Sequence, residues 1–108
     1  MAQDITALDG NTFTDFLNGP ERVKVVRFWA TWCRPCIALE PIFQEVADEL
    51  GAQTGFGAVD IDLAPEIAGA FGIRSVPTVV VLRDGMPVDM IVGLNPKSQY
   101  TSAIGAAA

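Results

Sequence analysis

Two cysteines three positions apart are the residues of this sequence best suited to chemistry. They are Cys33 and Cys36, in the run Trp32-Cys33-Arg34-Pro35-Cys36. A bond between them closes almost no loop, so it would constrain the unfolded chain only weakly. Stability is therefore a poor reason for the pair. Two thiols this close suit reversible disulfide exchange, in which one thiolate attacks and its neighbour resolves the mixed disulfide. The chain has no His, which excludes Ser-His-Asp and Cys-His catalysis and removes the commonest metal ligand. Ionisable chemistry is left to carboxylates, Lys, Arg, Tyr100 and the thiols. An inert buried dithiol and half of a zinc site are the competing readings. Zinc would have to take its remaining ligands from carboxylates or a second subunit, so no metal is expected.

The elements around the pair give it a chemical setting. Val23–Ala30 is β-branched and aromatic, a strand signal. From Pro35, apolar residues recur at three- and four-residue intervals (Ile37, Leu39, Ile42, Phe43, Val46, Leu50) until Gly51, which predicts a long helix kinked at Pro41. Cys33 then falls at a helix N-terminus, where free N–H groups and the helix dipole stabilise a thiolate. Arg34 adds a positive neighbour, Pro35 suits the first turn, and Cys36 lies one turn inward. Trp32 supplies an apolar wall.

Elsewhere, Asn11 is expected to cap a short helix bearing Phe13, Phe16 and Leu17, which ends at Gly19-Pro20. Phe56–Ile61 reads as a strand. Asp62 caps or just precedes a short helix with Pro65 in its first turn. The segment from Gly72 to Pro77 is a loop, Thr78–Leu82 a strand, Asp84-Gly85 a hairpin turn, and Pro87–Val92 the partner strand, broken by Gly93. Asn95-Pro96 opens the last helix as cap and first residue, and Ala106–Ala108 is an expected fraying end. With an optional first strand, this order implies an α/β fold: a mixed sheet, parallel in its first part, with helices on both faces.

Composition bounds the rest. The chain has 108 residues, half of them hydrophobic and 19% charged, which suits one globular domain, 1–108, with a real core. Seven basic against thirteen acidic residues give a net charge of −6, a poor basis for binding nucleic acid or an anionic membrane. No apolar run approaches the roughly 18 residues of a membrane span. Met1–Gly10 has neither a basic start nor a long apolar stretch, so no secretory signal is visible and a cytoplasmic protein is expected.

The stretch Phe28-Trp29-Ala30-Thr31-Trp32-Cys33-Arg34-Pro35-Cys36 resembles the active-site segment of the thioredoxin family. So do Pro41, Phe71-Gly72-Ile73-Arg74-Ser75-Val76-Pro77-Thr78, and Asp84-Gly85 followed by Gly93, collinearly over nearly the whole chain. The resemblance implies a thioredoxin fold and a protein dithiol–disulfide oxidoreductase, with Cys33 as nucleophile and Cys36 as resolving thiol. It implies a cis Val76-Pro77 bond beside the disulfide, and a docking patch of Trp32, Val76, Pro77 and Gly93, with Leu94 beside it. It also implies disulfide-containing protein substrates, a flavin-containing, NADPH-linked thioredoxin reductase as partner, a monomer, and no cofactor in this chain. The stretch leading to Cys33 also looks like extracytoplasmic thioredoxin-like proteins of cytochrome maturation. A third reading is a binding subunit that uses the fold as a scaffold.

The sequence departs from the family at three positions. Arg34 stands where the first residue between the cysteines is usually Gly. Arg27 stands where thioredoxins usually bury an Asp, and Ala58 where a Lys usually faces that Asp. The usual proton acceptor for Cys36 is therefore missing. Glu40, four residues after Cys36, shares its helix face, and Asp60 lies two beyond Ala58. We expect Arg27 to pair with Glu40, or alternatively Asp60, with that carboxylate serving as base for Cys36; otherwise Arg27 reaches out to solvent. Cations near the thiols favour the reduced form, so the potential is expected a few tens of millivolts above the roughly −270 mV of ordinary thioredoxin.

Overall fold

A computed structural model describes residues 4–108. Five strands form one sheet: β1 (Thr6–Leu8), β2 (Val23–Trp29), β3 (Thr54–Asp60), β4 (Thr78–Arg83) and β5 (Met86–Val92), in the order β1-β3-β2-β4-β5. β1 and β2 run parallel to β3, while β4 is antiparallel to both β2 and β5. The all-valine and leucine run of β4 is buried on both faces, as a central strand between two helical layers requires. Helices α1 (Phe13–Leu17), α2 (Arg34–Leu50), α3 (Pro65–Ala70) and α4 (Lys97–Ala107) supply those layers.

Strand alternation sorts the core into two parts. Val23 and Val25 of β2, Val79 and Val81 of β4, and Phe56 pack against Leu39, Phe43 and Val46 of α2 and Tyr100 and Ile104 of α4. Val26, Phe28, Val80 and Leu82 face the other way, onto α3 and the aromatic side chains of α1. The first of these faces carries Arg27, in line with Val23 and Val25. At the β4–β5 turn Asp84 and Gly85 have φ of 52° and 81°, the two positive values that a tight hairpin of this twist needs.

Several boundaries differ from expectation. Asn11 does not cap α1. Thr12 is the N-cap position, and Asp9 organises the turn by accepting from the backbone N–H of Asn11 at 2.8 Å and of Thr12 at 3.1 Å. β3 starts two residues early, at Thr54, because Val23 pairs with it in the parallel ladder. The N-cap of α3 is Ala64, so of its two expected places Asp62 takes the one just before the helix. Pro96 is itself the N-cap of α4, and the Asn95 side chain instead donates to the carbonyls of Val92 and Gly93. The C-terminal alanines do not fray: α4 continues to Ala107, which is buried in the core. α2 runs unbroken through Pro41.

Candidate active site

Cys33 occupies the N-cap of α2 in an extended conformation, and its Sγ accepts from the backbone N–H of Cys36 at 3.2 Å. The first turn contains no carboxylate. A negative sulfur at this position would meet a free amide and the positive helix end, with nothing nearby on its helix to oppose it. The two cysteines form a disulfide with Cα atoms 5.2 Å apart. Cys36 is fully buried, while Cys33 lies just under the surface. Both pack with Ala30 against Trp29, Ile61 and Val76.

The loop before β4 closes the other side. The Val76–Pro77 peptide is cis, and the Val76 carbonyl oxygen lies 3.6 Å from Cys33 Sγ. Gly93, with φ 87°, donates its N–H to the Pro77 carbonyl at 2.8 Å. Tyr100 of α4 donates its hydroxyl to the Gly93 carbonyl at 3.2 Å, so the buried phenol braces this junction from below. Trp32 is 66% exposed, yet its orientation is fixed: the indole N–H donates to Asp62 at 2.8 Å. Arg34 and Pro35 are exposed on the first turn of α2. The structure thus brings Val76, Pro77 and Gly93 together beside the disulfide, with exposed Trp32 next to Cys33 and exposed Leu94 following Gly93.

The bond from Trp32 to Asp62 is one that sequence reasoning missed, because the sequence reads Asp62 only in relation to α3, as its cap or the residue just before it. The ladder carried the signal. Trp29 pairs with Asp60, which puts the loops carrying Trp32 and Asp62 at the same end of neighbouring strands.

Behind the disulfide the expectation needs correction. Arg27 is buried, with 6% of its surface exposed, so it does not reach solvent. It also makes no contact ion pair: among the described residues the ion pairs are Arg22–Asp84 and Lys97–Glu49. Glu40 is exposed and Asp60 half-buried, where water solvates a carboxylate more cheaply than a burial site would. Arg27 instead donates from Nη1 to the Cys36 carbonyl at 3.0 Å. Its guanidinium lies 5.2 Å from the centroid of the Trp29 ring and 5.9 Å from that of Phe43, close enough for both ring faces to attract it. Its Nε has no partner. Burial lowers the Arg27 pKa and the charge of Glu40 raises it; an arginine remains protonated throughout. Arg27, Glu40 and Asp60 line one crevice of about 620 Å³, floored by Trp29 and Ala58. The small side chain of Ala58 beside Arg27 leaves this space open.

A disulfide-forming pair at a helix cap, under a cis-proline loop and at one end of a mixed sheet, defines a thiol–disulfide oxidoreductase. Comparison with known proteins names the family. The thioredoxin family model matches residues 4–106. The chain is 38% identical to a thioredoxin of Chlorobaculum thiosulfatiphilum over 98 residues, 91% of this chain and 90% of that one. It is 41% identical to a thioredoxin of Malassezia sympodialis over 89 residues, 82% and 84% of the two chains. The crystal structure of the Malassezia sympodialis protein superimposes with a TM-score of 0.86 at 34% identity, covering 97% and 91%. A mutant thioredoxin from Halobacterium salinarum superimposes with 0.88 at 29%, covering 99% and 95%. The chain belongs to the thioredoxin family, has its fold, and is a protein-disulfide oxidoreductase of that kind. Among the described residues no helix is long and apolar enough to cross a membrane, and no cluster of three His, Cys, Asp or Glu could hold a metal ion.

Proposed function

We propose that Cys33 is the nucleophile and Cys36 the resolving thiol in the reduction of substrate protein disulfides. The observation that carries this assignment is the asymmetry of the pair. Cys33 Sγ takes an amide hydrogen bond at the helix cap near the surface, while Cys36 is sealed behind it. Cys33 thiolate attacks one sulfur of the substrate, breaking its disulfide, forming a mixed disulfide and releasing one substrate thiolate, which takes a proton from water. Cys36 loses its proton and attacks Cys33 Sγ. The second substrate thiolate leaves, the Cys33–Cys36 disulfide forms, and two electrons have passed to the substrate. Insulin reduction tests the roles. Cys33→Ser should abolish turnover, whereas Cys36→Ser should accumulate a covalent complex through Cys33. A trapped complex through Cys36 in Cys33→Ser would reverse the assignment.

Trp32, Val76, Pro77 and Gly93 are the proposed docking surface, with Arg34 and Pro35 shaping its edge. The Val76 carbonyl beside Cys33, just before the cis-proline, and the apolar exposure of Trp32 support this reading, since an extended chain can add to such a backbone edge. For the Cys36 proton we propose a route through the crevice. Asp60 or Glu40 would accept it through water, and Arg27 would hold the positive charge that favours the thiolate. The crevice shared by Arg27, Glu40 and Asp60, together with the bond from Arg27 to the Cys36 carbonyl, supports that route in place of a contact pair. A reducing role would make an NADPH-linked thioredoxin reductase the electron donor and the cytoplasm the compartment, with the chain acting as a single-domain monomer. Turnover in a coupled reductase assay, cell fractionation and sedimentation test these three points. The potential should lie a few tens of millivolts above about −270 mV, and Arg34→Gly should lower it. A wild-type value at or below −270 mV would remove this reading.

A further inference from the structure

The chain has seven basic residues, and the structure accounts for them unequally. Lys24 is buried and donates to the carbonyls of Gly19 and Glu21. Arg27 is buried behind Cys36. Arg22 pairs with Asp84, and Lys97 with Glu49. Arg83 is half-buried in β4, with its Nε shielded from water. Arg34 and Arg74 are left. Both are exposed, and neither takes part in a hydrogen bond or ion pair among the described residues. One lies between the two cysteines. The other lies in the loop that ends at the cis-proline, three residues before Pro77.

The neighbouring carboxylates are in the opposite condition. Asp62 accepts from the Trp32 indole, and Asp60 accepts from the Asp62 N–H at 2.9 Å. The helical neighbours of Arg34 at three and four positions are Ile37 and Ala38, so no acid on α2 faces it there. Ile73 and Ser75 flank Arg74. A protein of net charge −6 therefore leaves two free exposed cations, among the described residues, on the two segments that meet at Cys33: the turn between the cysteines and the loop leading to the cis-proline, whose Val76 carbonyl lies 3.6 Å from Cys33 Sγ.

We propose that Arg34 and Arg74 form a cationic rim that selects substrate proteins whose disulfide is flanked by Asp or Glu. This rests on the exchange chemistry of Cys33 and Cys36 and names the substrate class for it. Rim charges act mainly on the encounter rate and on register. The effect should therefore appear in the rate of mixed-disulfide formation. It should also oppose the net charge, which taken alone would favour basic substrates.

The test uses the pre-reduced protein and three peptides, each with one internal disulfide, identical except for Glu, Gln or Lys beside the cysteines. Oxidation of the protein is followed through the fluorescence of Trp29 and Trp32. At about 0.1 M ionic strength, where screening acts over about 10 Å, the Glu peptide should react about three- to tenfold faster than the Gln peptide. The Lys peptide should be slower than both. The preference should vanish near 1 M salt. In the Arg34→Gln/Arg74→Gln double variant the Glu-to-Gln ratio should fall to about one. Taking each ratio within one variant cancels any effect of Arg34 on the thiolate itself. A wild-type ratio of one or below, a Lys peptide that reacts fastest, or a ratio unchanged in the double variant would overturn the proposal and leave exchange chemistry standing. Failure of all three peptides to oxidise the thiols would overturn both.

Discussion

At the scale of single residues, Arg27 separates charge from stability most sharply. It sits where the family usually buries an acid, donates to the Cys36 carbonyl, and lies against two aromatic rings with its Nε unpartnered. An incompletely paired buried charge contributes little to folding, and an apolar residue of similar shape often replaces one at no cost. Near a thiolate, however, the same charge stabilises the reduced state. Arg27→Met should leave unfolding free energy within about 1 kcal/mol of wild type. It should lower the redox potential by a few tens of millivolts. Denaturant titration and glutathione equilibration read the two quantities separately. A potential that stays would show that Arg27 does not act on the thiols, and one that rises would show that it disfavours the thiolate. The motif itself was legible, because thiol spacing and a helix start are local signals. The partner of Arg27 was not. Helix spacing puts Glu40 on the same face as Cys36, but it cannot say whether a carboxylate leaves water to meet a buried cation. Here it stays at the surface and two rings and a carbonyl take its place.

At the scale of elements, two glycines hold the sheet by different physics. Gly57 of β3 pairs with Thr6 of β1. A Cβ there would overlap Leu8 Cδ1 and press on Phe16, both packed under the edge of the sheet. Gly93 has open space around a notional Cβ but a φ of 87°, which L side chains adopt only with strain. Gly57→Ala should therefore cost about 1–3 kcal/mol through overpacking and loosen β1. Gly93→Ala should cost about 1–2 kcal/mol through backbone strain and slow disulfide exchange by disturbing the bond to Pro77. Hydrogen exchange distinguishes them: protection should fall in β1 for the first and around the Pro77 loop for the second. Equal loss everywhere in both would contradict this division. Long periodic runs such as α2 and the apolar β4 were readable because burial repeats along them. The caps were not. Asn11 and Asn95 have the right chemistry for capping, but Asp9 and the Val92 and Gly93 carbonyls compete for the same short-range hydrogen bonds. Only the assembled turn decides among such partners. The short edge strand β1 depends on β3 for its existence, so its own three residues carry almost no signal.

At the scale of the whole molecule, redox potential and folding stability are linked. Oxidation changes the unfolding free energy by 2F times the difference between the potential of the unfolded chain and that of the native protein. The unfolded chain presents Arg34 as a solvated neighbour of flexible thiols. The native chain holds Arg34 on the first turn of α2, next to the N-cap sulfur. A change at this residue therefore acts almost wholly on the native potential. Arg34→Gly should lower that potential, and each 30 mV of lowering should widen the stability gap between oxidised and reduced protein by about 1.4 kcal/mol. The two measurements are independent: one equilibrates native protein with glutathione, and the other unfolds each redox form in denaturant. Their agreement in sign and size would place the effect of Arg34 on the folded site. A shifted potential with an unchanged gap would mean that the unfolded chain shifts equally, so that the effect is independent of the fold, and the charge argument for this active site would then fail.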